Sequence, residues 1–192
     1  MRALLLVIGL LATVVAGFGS FMVFRAATAE TSTAYGGTFE LIDQDGNPVT
    51  EAQLRGHPSA IFFGFTHCPE VCPTTLFEMD KWLATLGEEG KDIRPYFVSI
   101  DPERDTPEIM KTYIGNVSDR IVGWTGDPGE VAAMAKSFGI YVKKVELEGG
   151  DYTMDHTASV ILLKPSGDFF GTIGYGENAE AAIAKLKRLA DA

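Results

Sequence analysis

Two cysteines that could carry out chemistry lie in the segment THCPEVCPTT, residues 66 to 75. Cys68 and Cys72 are the only cysteines of the chain, and a proline follows each of them. Such a pair can form a structural disulfide, act as a redox couple or bind a soft metal ion. A disulfide would enclose three intervening residues, a loop too short to constrain the unfolded chain much. Redox chemistry and metal binding therefore remain as the main possibilities.

The prolines predict the conformation of both cysteines. A residue that precedes proline avoids the helical region, so Cys68 and Cys72 are expected to be extended. Pro73 suits the first position of a helix, which would place Cys72 at the N-cap, facing the positive end of the helix dipole. That position lowers the pKa of a thiol. We therefore expect reactive sulfurs, with a lowered pKa at Cys72.

The elements that must position the cysteines alternate along the chain. Apolar runs predict strands at SAIFFGF (59–65), IRPYFVSID (93–101), RIVGW (120–124), TASVILLK (157–164) and FFGTIG (169–174). Helices are expected after Pro73, Pro107 and Pro128 and over residues 178–190. The turn Asp45-Gly46-Asn47 predicts an N-terminal β-hairpin. This order predicts an α/β fold with a mixed central sheet, and cysteines between the first core strand and its helix indicate the thioredoxin-like version.

A third ligand would decide between redox chemistry and metal binding. The chain has three histidines, of which His57 lies in a polar turn and His67 is expected to face outward beside Cys68. His156 comes directly before the predicted strand 157–164, and in a thioredoxin-like fold the segment that enters this strand faces the cysteines. Thioredoxins carry a proline there. An imidazole in its place would complete a Cys2His set, which suits soft or borderline metals, copper and zinc above all.

Four segments together carry a family resemblance. They are FTHCPEVCPTT, SIDPERDTP, TGDPGEVAAMAKSFGI and YTMDHTASVILLKPSGDF, spread over roughly residues 36 to 190. In this order and spacing they resemble the Sco/SenC family of copper-binding, thioredoxin-like proteins, which help to assemble the CuA centre of cytochrome c oxidase. The resemblance implies that copper, as Cu(I) or Cu(II), is held by Cys68, Cys72 and His156.

Two acidic residues, Asp101 and Asp155, are possible auxiliary residues of this metal site. Asp101 stands in the place of an acidic residue in the family's DPxRDTP segment that has been linked to the oxidised copper site, although it equally suits a cap for the turn at Pro102. Asp155 adjoins His156 and is expected to orient that histidine or its loop more than to bind metal. Glu70 stands where aspartate is frequent in the family, and nothing important depends on that difference.

Two functions from different classes are consistent with these residues. The first is a non-enzymatic metallochaperone that binds copper at Cys68, Cys72 and His156 and passes it to the CuA-bearing subunit of cytochrome c oxidase or to another copper protein. The alternative is a thiol-disulfide oxidoreductase, in which the two cysteines form the redox-active pair, keep the cysteines of an apo copper site reduced and depend on a thiol reductant. The Cys-x3-Cys spacing and the histidine in place of proline favour the metallochaperone.

The N-terminal residues predict a membrane anchor. Residues 3–24 carry no charge, and at about 1.5 Å per residue they would span roughly 33 Å, enough to cross the ~30 Å hydrocarbon core of a bilayer. A cleaved signal peptide is the rival interpretation, because Ala27-Thr28-Ala29 has the pattern of a cleavage site, but this apolar run exceeds the ~7 to 15 residues typical of such peptides. We therefore expect one transmembrane helix within residues 1–25, a flexible tether over 26–38 and a thioredoxin-like copper-binding domain over 39–192.

The charge of the remaining chain excludes one class of partner. Residues 30–192 carry 14 basic and 26 acidic side chains, a formal charge of −12. That sign excludes nucleic-acid binding by phosphate neutralisation and attachment to anionic lipid by surface charge. Because a single N-terminal segment of this kind usually delivers the rest of its chain out of the cytoplasm, we expect a protein anchored in a bacterial inner membrane, with its globular domain on the periplasmic side.

Overall fold

The computed structural model of the chain describes residues 35–192, in which strands and helices alternate. The strands are β1 (Glu40–Asp43), β2 (Pro48–Thr50), β3 (Ser59–Gly64), β4 (Arg94–Ser99), β5 (Val122–Thr125), β6 (Val142–Glu146), β7 (Tyr152–His156), β8 (Ser159–Leu163) and β9 (Phe169–Gly174). The helices are α1 (Val71–Leu86), α2 (Pro107–Gly115), α3 (Pro128–Ser137) and α4 (Ala179–Ala190), and short 3-10 helices cover Glu51–Leu54 and Gly87–Gly90.

A mixed sheet of seven strands forms the centre of the described residues, in the order β2-β1-β5-β4-β3-β8-β9. The strands β3, β4 and β5 run parallel, whereas β1 and β8 pair antiparallel with β5 and β3. All six residues of β3 are buried, as expected for a continuous apolar run between two neighbouring strands. The predicted thioredoxin-like α/β fold with a mixed sheet is confirmed.

The predicted N-terminal hairpin is present as β1 and β2. The carboxylate of Asp43 accepts hydrogen bonds from the backbone N–H groups of Asp45 and Asn47, at 2.8 and 2.9 Å, and closes the turn. On its other side β1 pairs with β5, with Ile42 opposite Thr125. The hairpin therefore extends the central sheet.

A second hairpin was not predicted. The strands β6 and β7 pair antiparallel and form a sheet of their own, with Val142 opposite His156. The sequence contained only a weak signal for it, because the glycine pair Gly149-Gly150 marks a turn but VKKVE before it does not alternate apolar and polar residues. Both glycines have positive φ, at 91° and 86°, a conformation that other residues rarely adopt. His156 thus lies at the end of a strand instead of in a simple loop.

Three helix starts agree with the sequence expectation. The side chains of Thr106, Asp127 and Asn178 accept backbone hydrogen bonds at the first turns of α2, α3 and α4. Prolines occupy the first turn of α2 and of α3, where a missing N–H costs no helical hydrogen bond. These local signals explain why the three boundaries could be predicted.

The predicted membrane anchor and most of the predicted tether lie outside the described residues. Within residues 35–192, none of the helices has the length and apolar character needed to span a bilayer. Tyr35, which the sequence assigned to the tether, already contacts the domain: its ring packs against Phe138 and Phe169, and its N–H donates to Gly167 O at 2.9 Å. The packed region therefore begins a few residues earlier than residue 39.

Candidate metal centre

The loop between β3 and α1 carries Cys68, whereas Cys72 lies inside the first turn of α1. The prediction that Pro73 is the first helical residue and Cys72 the extended N-cap is therefore wrong, since Glu70 occupies the cap and Pro73 is the third residue of the helix. A proline is tolerated there because the first N–H groups of a helix have no partner within it. The first bond of the helical ladder runs from Thr74 N–H to Glu70 O, at 3.2 Å.

The sulfur of Cys68 takes the capping role that was expected of Cys72. The backbone N–H of Cys72 donates to Cys68 Sγ at 3.3 Å, and the side chain of Glu70 makes no capping hydrogen bond. A hydrogen bond from the Cys72 thiol, together with backbone N–H groups, lowers the pKa of Cys68 to about 4. The neighbouring Cys68 sulfur and burial raise the pKa of Cys72. The lowered pKa, which the sequence predicted for Cys72, therefore belongs to Cys68. Cys68 is a thiolate and Cys72 is a thiol.

His156 meets the cysteines from the end of β7. Its Nε2 lies 3.7 Å from Cys72 Sγ, and its ring stands edge-on to Phe62 and Phe65, with centroid distances of 6.1 and 5.9 Å. Its Nδ1 lies 3.0 Å from Thr157 O. A carbonyl oxygen only accepts, so this contact requires the proton on Nδ1 and leaves the Nε2 lone pair directed at the sulfur. The histidine is therefore in the tautomer that a metal ligand needs.

The distance between Cys72 Sγ and His156 Nε2 is compatible with one metal ion bound to both. Bonds of about 2.3 Å to a thiolate and about 2.0 Å to an imidazole, meeting at about 120°, place the two ligand atoms about 3.7 Å apart. Cys68 Sγ accepts hydrogen bonds from the thiol and the backbone N–H of Cys72. Within residues 35–192, no three His, Cys, Asp or Glu side chains are already arranged around a point that a metal ion could occupy. Cys68 would have to turn toward the other two donors.

Close packing fixes the position of Cys72. The residue is fully buried, and a Cβ atom added to Gly64 at the end of β3 would lie 2.8 Å from Cys72 Sγ and 2.8 Å from the ring of Phe97. A side chain at position 64 would displace the sulfur of Cys72, so the close approach of that sulfur to the backbone requires glycine there. The apolar run around Gly64 had indicated only a buried strand.

The two predicted auxiliaries lie in different surroundings. The carboxylate of Asp101 is buried and accepts hydrogen bonds from Tyr152 OH at 2.8 Å and Arg104 Nε at 2.5 Å. Asp155 is exposed and lies one residue before His156 on β7, so its side chain leaves the opposite face of the strand. The ring of His156 is oriented by the hydrogen bond that its Nδ1–H donates to Thr157 O, a partner that sequence reasoning missed.

Comparison with known proteins identifies the chain. The family model described as SCO1/SenC matches residues 27–191. The chain belongs to the SCO1/SenC family. Residue patterns alone had predicted this membership, which is now confirmed. Among its SCO1/SenC relatives is Protein SCO1 homolog 1, mitochondrial, of Arabidopsis thaliana, which is 39% identical over 146 residues, 76% of this chain and 43% of that protein.

Solved Sco structures share the fold. The structure of Bradyrhizobium japonicum ScoI with copper bound is 46% identical with a TM-score of 0.75, and the match covers 81% of this chain and 99% of that one. BsSco, described as a member of the Sco family of cytochrome c oxidase assembly proteins with a disulfide switch, is 28% identical with a TM-score of 0.66 and matches 83% of this chain and 95% of its own. A Sco chain limited to the matched region therefore folds by itself.

The chain is shorter than its full-length Sco relatives. It spans about half the length of the first curated relatives it matches, 43% of the Arabidopsis protein and 55% of Protein SCO2, mitochondrial, of Saccharomyces cerevisiae. Activities and partners of those whole proteins therefore apply to this chain only as proposals.

Alkylation of the Sco domain should show that Cys68, and not Cys72, has the lowered thiol pKa. Because the pKa of Cys68 is lowered to about 4, its reaction rate with iodoacetamide is expected to be level across neutral pH and to fall to half only near that value. Mass spectrometry after timed alkylation locates the modified residue. Cys72 is fully buried and should react only after denaturation.

A cysteine peptide provides the control for this experiment, since its rate reaches half of its maximum only near about pH 8.5. The pH at half-maximal rate is the informative quantity, because thiolates of low pKa are also weaker nucleophiles and the maximal rate is not expected to be high. A half-maximal rate for Cys68 near that of the peptide would contradict the assignment.

A buried acid beneath the cysteine loop was not predicted as functional. Asp105 is fully buried and accepts hydrogen bonds from Thr66 N–H at 3.0 Å, Thr66 Oγ1 at 2.6 Å and Ser99 Oγ at 2.6 Å. Burial raises its pKa, against the opposing effect of these bonds. Thr66 begins the cysteine loop and Ser99 ends β4, so Asp105 ties the loop of this Sco domain to its sheet.

Replacing Asp105 with alanine is expected to lower the free energy of unfolding by about 3 kcal/mol or more, because three donors would lose their acceptor at a cost of about 1–3 kcal/mol each. Because the pKa of Asp105 is raised in the folded domain, its charged form opposes folding. The stabilising contribution of Asp105 is therefore complete below the pKa that it has in the unfolded chain. It falls as the pH rises through the pKa that it has in the folded domain. The difference between wild type and variant should thus be larger in acid than at neutral pH.

Urea unfolding at both pH values measures this effect. The exposed Asp119, replaced with alanine, is the matched control and should stay within about 0.5 kcal/mol of wild type. A loss below about 1 kcal/mol in Asp105→Ala would show that the donors find other partners and would contradict the assigned role.

Proposed function

We propose that this SCO1/SenC protein is a copper metallochaperone that binds copper through Cys68, Cys72 and His156 and delivers it to cytochrome c oxidase. The observation that carries the proposal is the 3.7 Å separation of Cys72 Sγ and His156 Nε2, with the Cys68 sulfur hydrogen-bonded to Cys72. Two relatives support it: ScoI of Bradyrhizobium japonicum has a structure with copper bound, and BsSco belongs to a family of cytochrome c oxidase assembly proteins. On this proposal the chain is not an enzyme, and copper is its cargo.

Cys68 makes the first contact with incoming copper. It is the partly exposed member of the pair and is already a thiolate at neutral pH, with its pKa lowered to about 4. Cys72 then joins as the second thiolate and releases its proton to solvent, because a thiol must be deprotonated to act as a ligand. His156 completes the set through Nε2, while Nδ1–H stays on Thr157 O.

This ligand set accommodates both oxidation states of copper. Two thiolates suit Cu(I), and the added imidazole nitrogen suits Cu(II). Cys68 lies on a loop and is partly exposed, so the recipient can reach the sulfur from solvent. Release to a recipient with its own thiolates would proceed by exchange of ligands at this open side.

Copper titration of the reduced domain, residues 30–192, tests the proposal. We expect one copper per chain, measured by mass spectrometry and by competition with a Cu(I) chelator. Cys68→Ser should lose this stoichiometric binding, whereas the exposed Ser137→Ala, remote from the cysteines in sequence, serves as the control. Absence of stoichiometric binding to the wild-type domain would remove the chaperone function.

Thiol-disulfide exchange is the second candidate function. It is favoured by the specific pairing of a thiolate at Cys68 with a hydrogen-bonded thiol at Cys72. Cys68 would attack a disulfide of the partner, and Cys72, after losing its proton, would attack the mixed disulfide. The domain then holds a disulfide, and the partner gains two electrons together with one proton from Cys72 and a second proton from solvent. A thiol reductant must restore the pair.

We further propose that residues 3–24 form a membrane anchor and that the adjoining residues tether the copper domain on the periplasmic side of a bacterial inner membrane. The support is the uncharged apolar length of that segment. In its native host the protein should remain with membranes through a carbonate wash and retain Met1. Recovery of a soluble form that starts near Glu30 would show a cleaved signal peptide instead.

A further inference from the structure

The hairpin that carries His156 has few ties to the rest of the domain. In the described part of the chain, neither β6 nor β7 pairs with a strand of the central sheet. A cavity of about 460 Å³ separates it from α3 and is lined by residues that include Val131, Ala135, Val142 and Met154. Val142 and Met154 pack only partly against the core, so the orientation of the hairpin also depends on polar contacts, which include an ion pair between Lys144 Nζ and Glu103 Oε2 at 3.3 Å.

One group of ties lies at the base of the hairpin. Tyr141 N–H donates to Thr157 Oγ1 at 3.0 Å, and Thr157 N–H donates to Tyr141 O at 3.1 Å. These bonds join the residues just outside the two strands. They hold the ends of the hairpin together without bonding it to the central sheet, and we call this junction next to His156 the hinge.

The other group of ties centres on Tyr152, at the far end of β7. Its hydroxyl donates to the buried carboxylate of Asp101 at 2.8 Å, and its carbonyl accepts from Arg104 Nη1 at 3.0 Å. The guanidinium carbon of Arg104 and Nζ of Lys144 each lie 3.7 Å from the centre of its ring. Two cations at that distance cannot share one face, so the ring lies between them. Both contacts are attractive cation–π interactions.

We propose that Tyr152 is a positioning residue, which pins the β6–β7 hairpin to the Asp101–Arg104 loop and thereby holds His156 against Cys72. Residues two apart in a strand share a face, so Tyr152, Met154 and His156 are on the same face of β7. The hinge holds one end of the hairpin and Tyr152 holds the other, and together they set the angle of this face to the domain. Asp101 acts on the copper site through Tyr152, without itself binding the metal.

This positioning role deepens the proposed copper function. Only its expected effect on copper affinity rests on that function, because the position of His156 can be measured without metal. In the reduced, metal-free domain, the ring-proton NMR signals of His156 report its contact with Phe62 and Phe65. Amide hydrogen exchange of β6 and β7 reports how firmly the hairpin is held. Neither readout depends on copper or on the activity of a partner.

The test compares Tyr152→Ala and Tyr152→Phe with Tyr175→Ala, which replaces a half-exposed tyrosine on a different strand end. Tyr152→Ala should move the His156 signals toward those of a free histidine and speed exchange in β6 and β7 by about tenfold or more, because two cation–π contacts and a hydrogen bond to a buried carboxylate are lost. Tyr152→Phe keeps the ring contacts and should shift the same signals less. Tyr175→Ala should match wild type.

Unchanged His156 signals and unchanged exchange in Tyr152→Ala would overturn the proposal. If that variant does not fold, Tyr152→Phe decides, and wild-type behaviour of Tyr152→Phe in both readouts would overturn it. Titration adds the consequence: Tyr152→Ala should bind Cu(II) roughly 10- to 100-fold more weakly, the usual cost of removing an outer-shell partner, and should keep Cu(I). If the wild-type domain binds no copper, the proposed function fails while the NMR and exchange results still decide the role of Tyr152.

Discussion

Replacing His156 with alanine is expected to abolish the coloured thiolate–Cu(II) complex while Cu(I) binding by the two cysteines persists. Cu(I) is satisfied by two thiolates at low coordination, whereas Cu(II) prefers a set that includes nitrogen or oxygen donors. In the domain the nitrogen that faces Cys72 is His156 Nε2, at 3.7 Å. Loss of a ligand should weaken Cu(II) binding by more than the roughly 100-fold that loss of an outer-shell partner costs.

An optical Cu(II) titration and a Cu(I) competition assay on the purified variant measure the two affinities. His67→Ala is the matched control, because His67 is adjacent in sequence to Cys68 but its side chain is half exposed and its Nδ1 faces Asp105, at 3.9 Å. That control should bind both forms of copper as wild type does. A coloured complex of unchanged affinity in His156→Ala would contradict the ligand assignment.

The same variant separates the two proposed functions in cells. Thiol-disulfide exchange depends on the attacking thiolate, the leaving thiol and access, none of which requires an imidazole. If copper delivery is the function, His156→Ala should support cytochrome c oxidase assembly poorly although its cysteines still cycle between thiol and disulfide. Full oxidase activity without a Cu(II) complex would favour the reductase function.

Oxidation of Cys68 and Cys72 to a disulfide is expected to eliminate copper binding. Both sulfurs must be thiolates to bind a metal, and a disulfide leaves neither available. The two side chains are hydrogen-bonded to each other, and the pKa of Cys68 is lowered to about 4, so the thiolate needed for disulfide formation is already present. An oxidised thiol reagent takes up the two electrons and is released as two thiols.

Copper stoichiometry before oxidation, after oxidation and after re-reduction measures this effect, with free thiols counted in parallel. Binding should fall from one copper per chain to none and return on reduction. Full recovery on re-reduction separates disulfide formation from irreversible oxidative damage, which a thiol reductant does not reverse. Equal copper affinity in the oxidised and reduced domain would contradict the prediction that both sulfurs are ligands.

Much of the site could be predicted from sequence because its signals are local. The spacing of Cys68 and Cys72, the buried run of β3 before them and the histidine before β8 are read directly from neighbouring residues. The first turns of α2 and α3 likewise follow from a capping side chain and an adjacent proline. Such rules need no knowledge of the residues that lie across the sheet.

The tertiary structure decided which cysteine is the thiolate. A proline rule fixes a helix start only to within a residue or two, since proline is tolerated throughout the first turn. A shift of two residues moved Cys72 from the cap into α1 and gave the capping hydrogen bond to Cys68 Sγ instead. The direction of each pKa shift follows from that contact and from burial, neither of which a sequence pattern contains.

The tertiary structure also decided which groups His156 and Asp101 contact. The partner of Asp101 is Tyr152, 51 residues away, and the partner of His156 is Cys72, 84 residues away. Contacts between such distant residues depend on how the hairpin β6–β7 lies against the domain, and a single sequence carries no periodic signal for that. The sequence therefore determined which donors are present, whereas only the fold determined which of them meet.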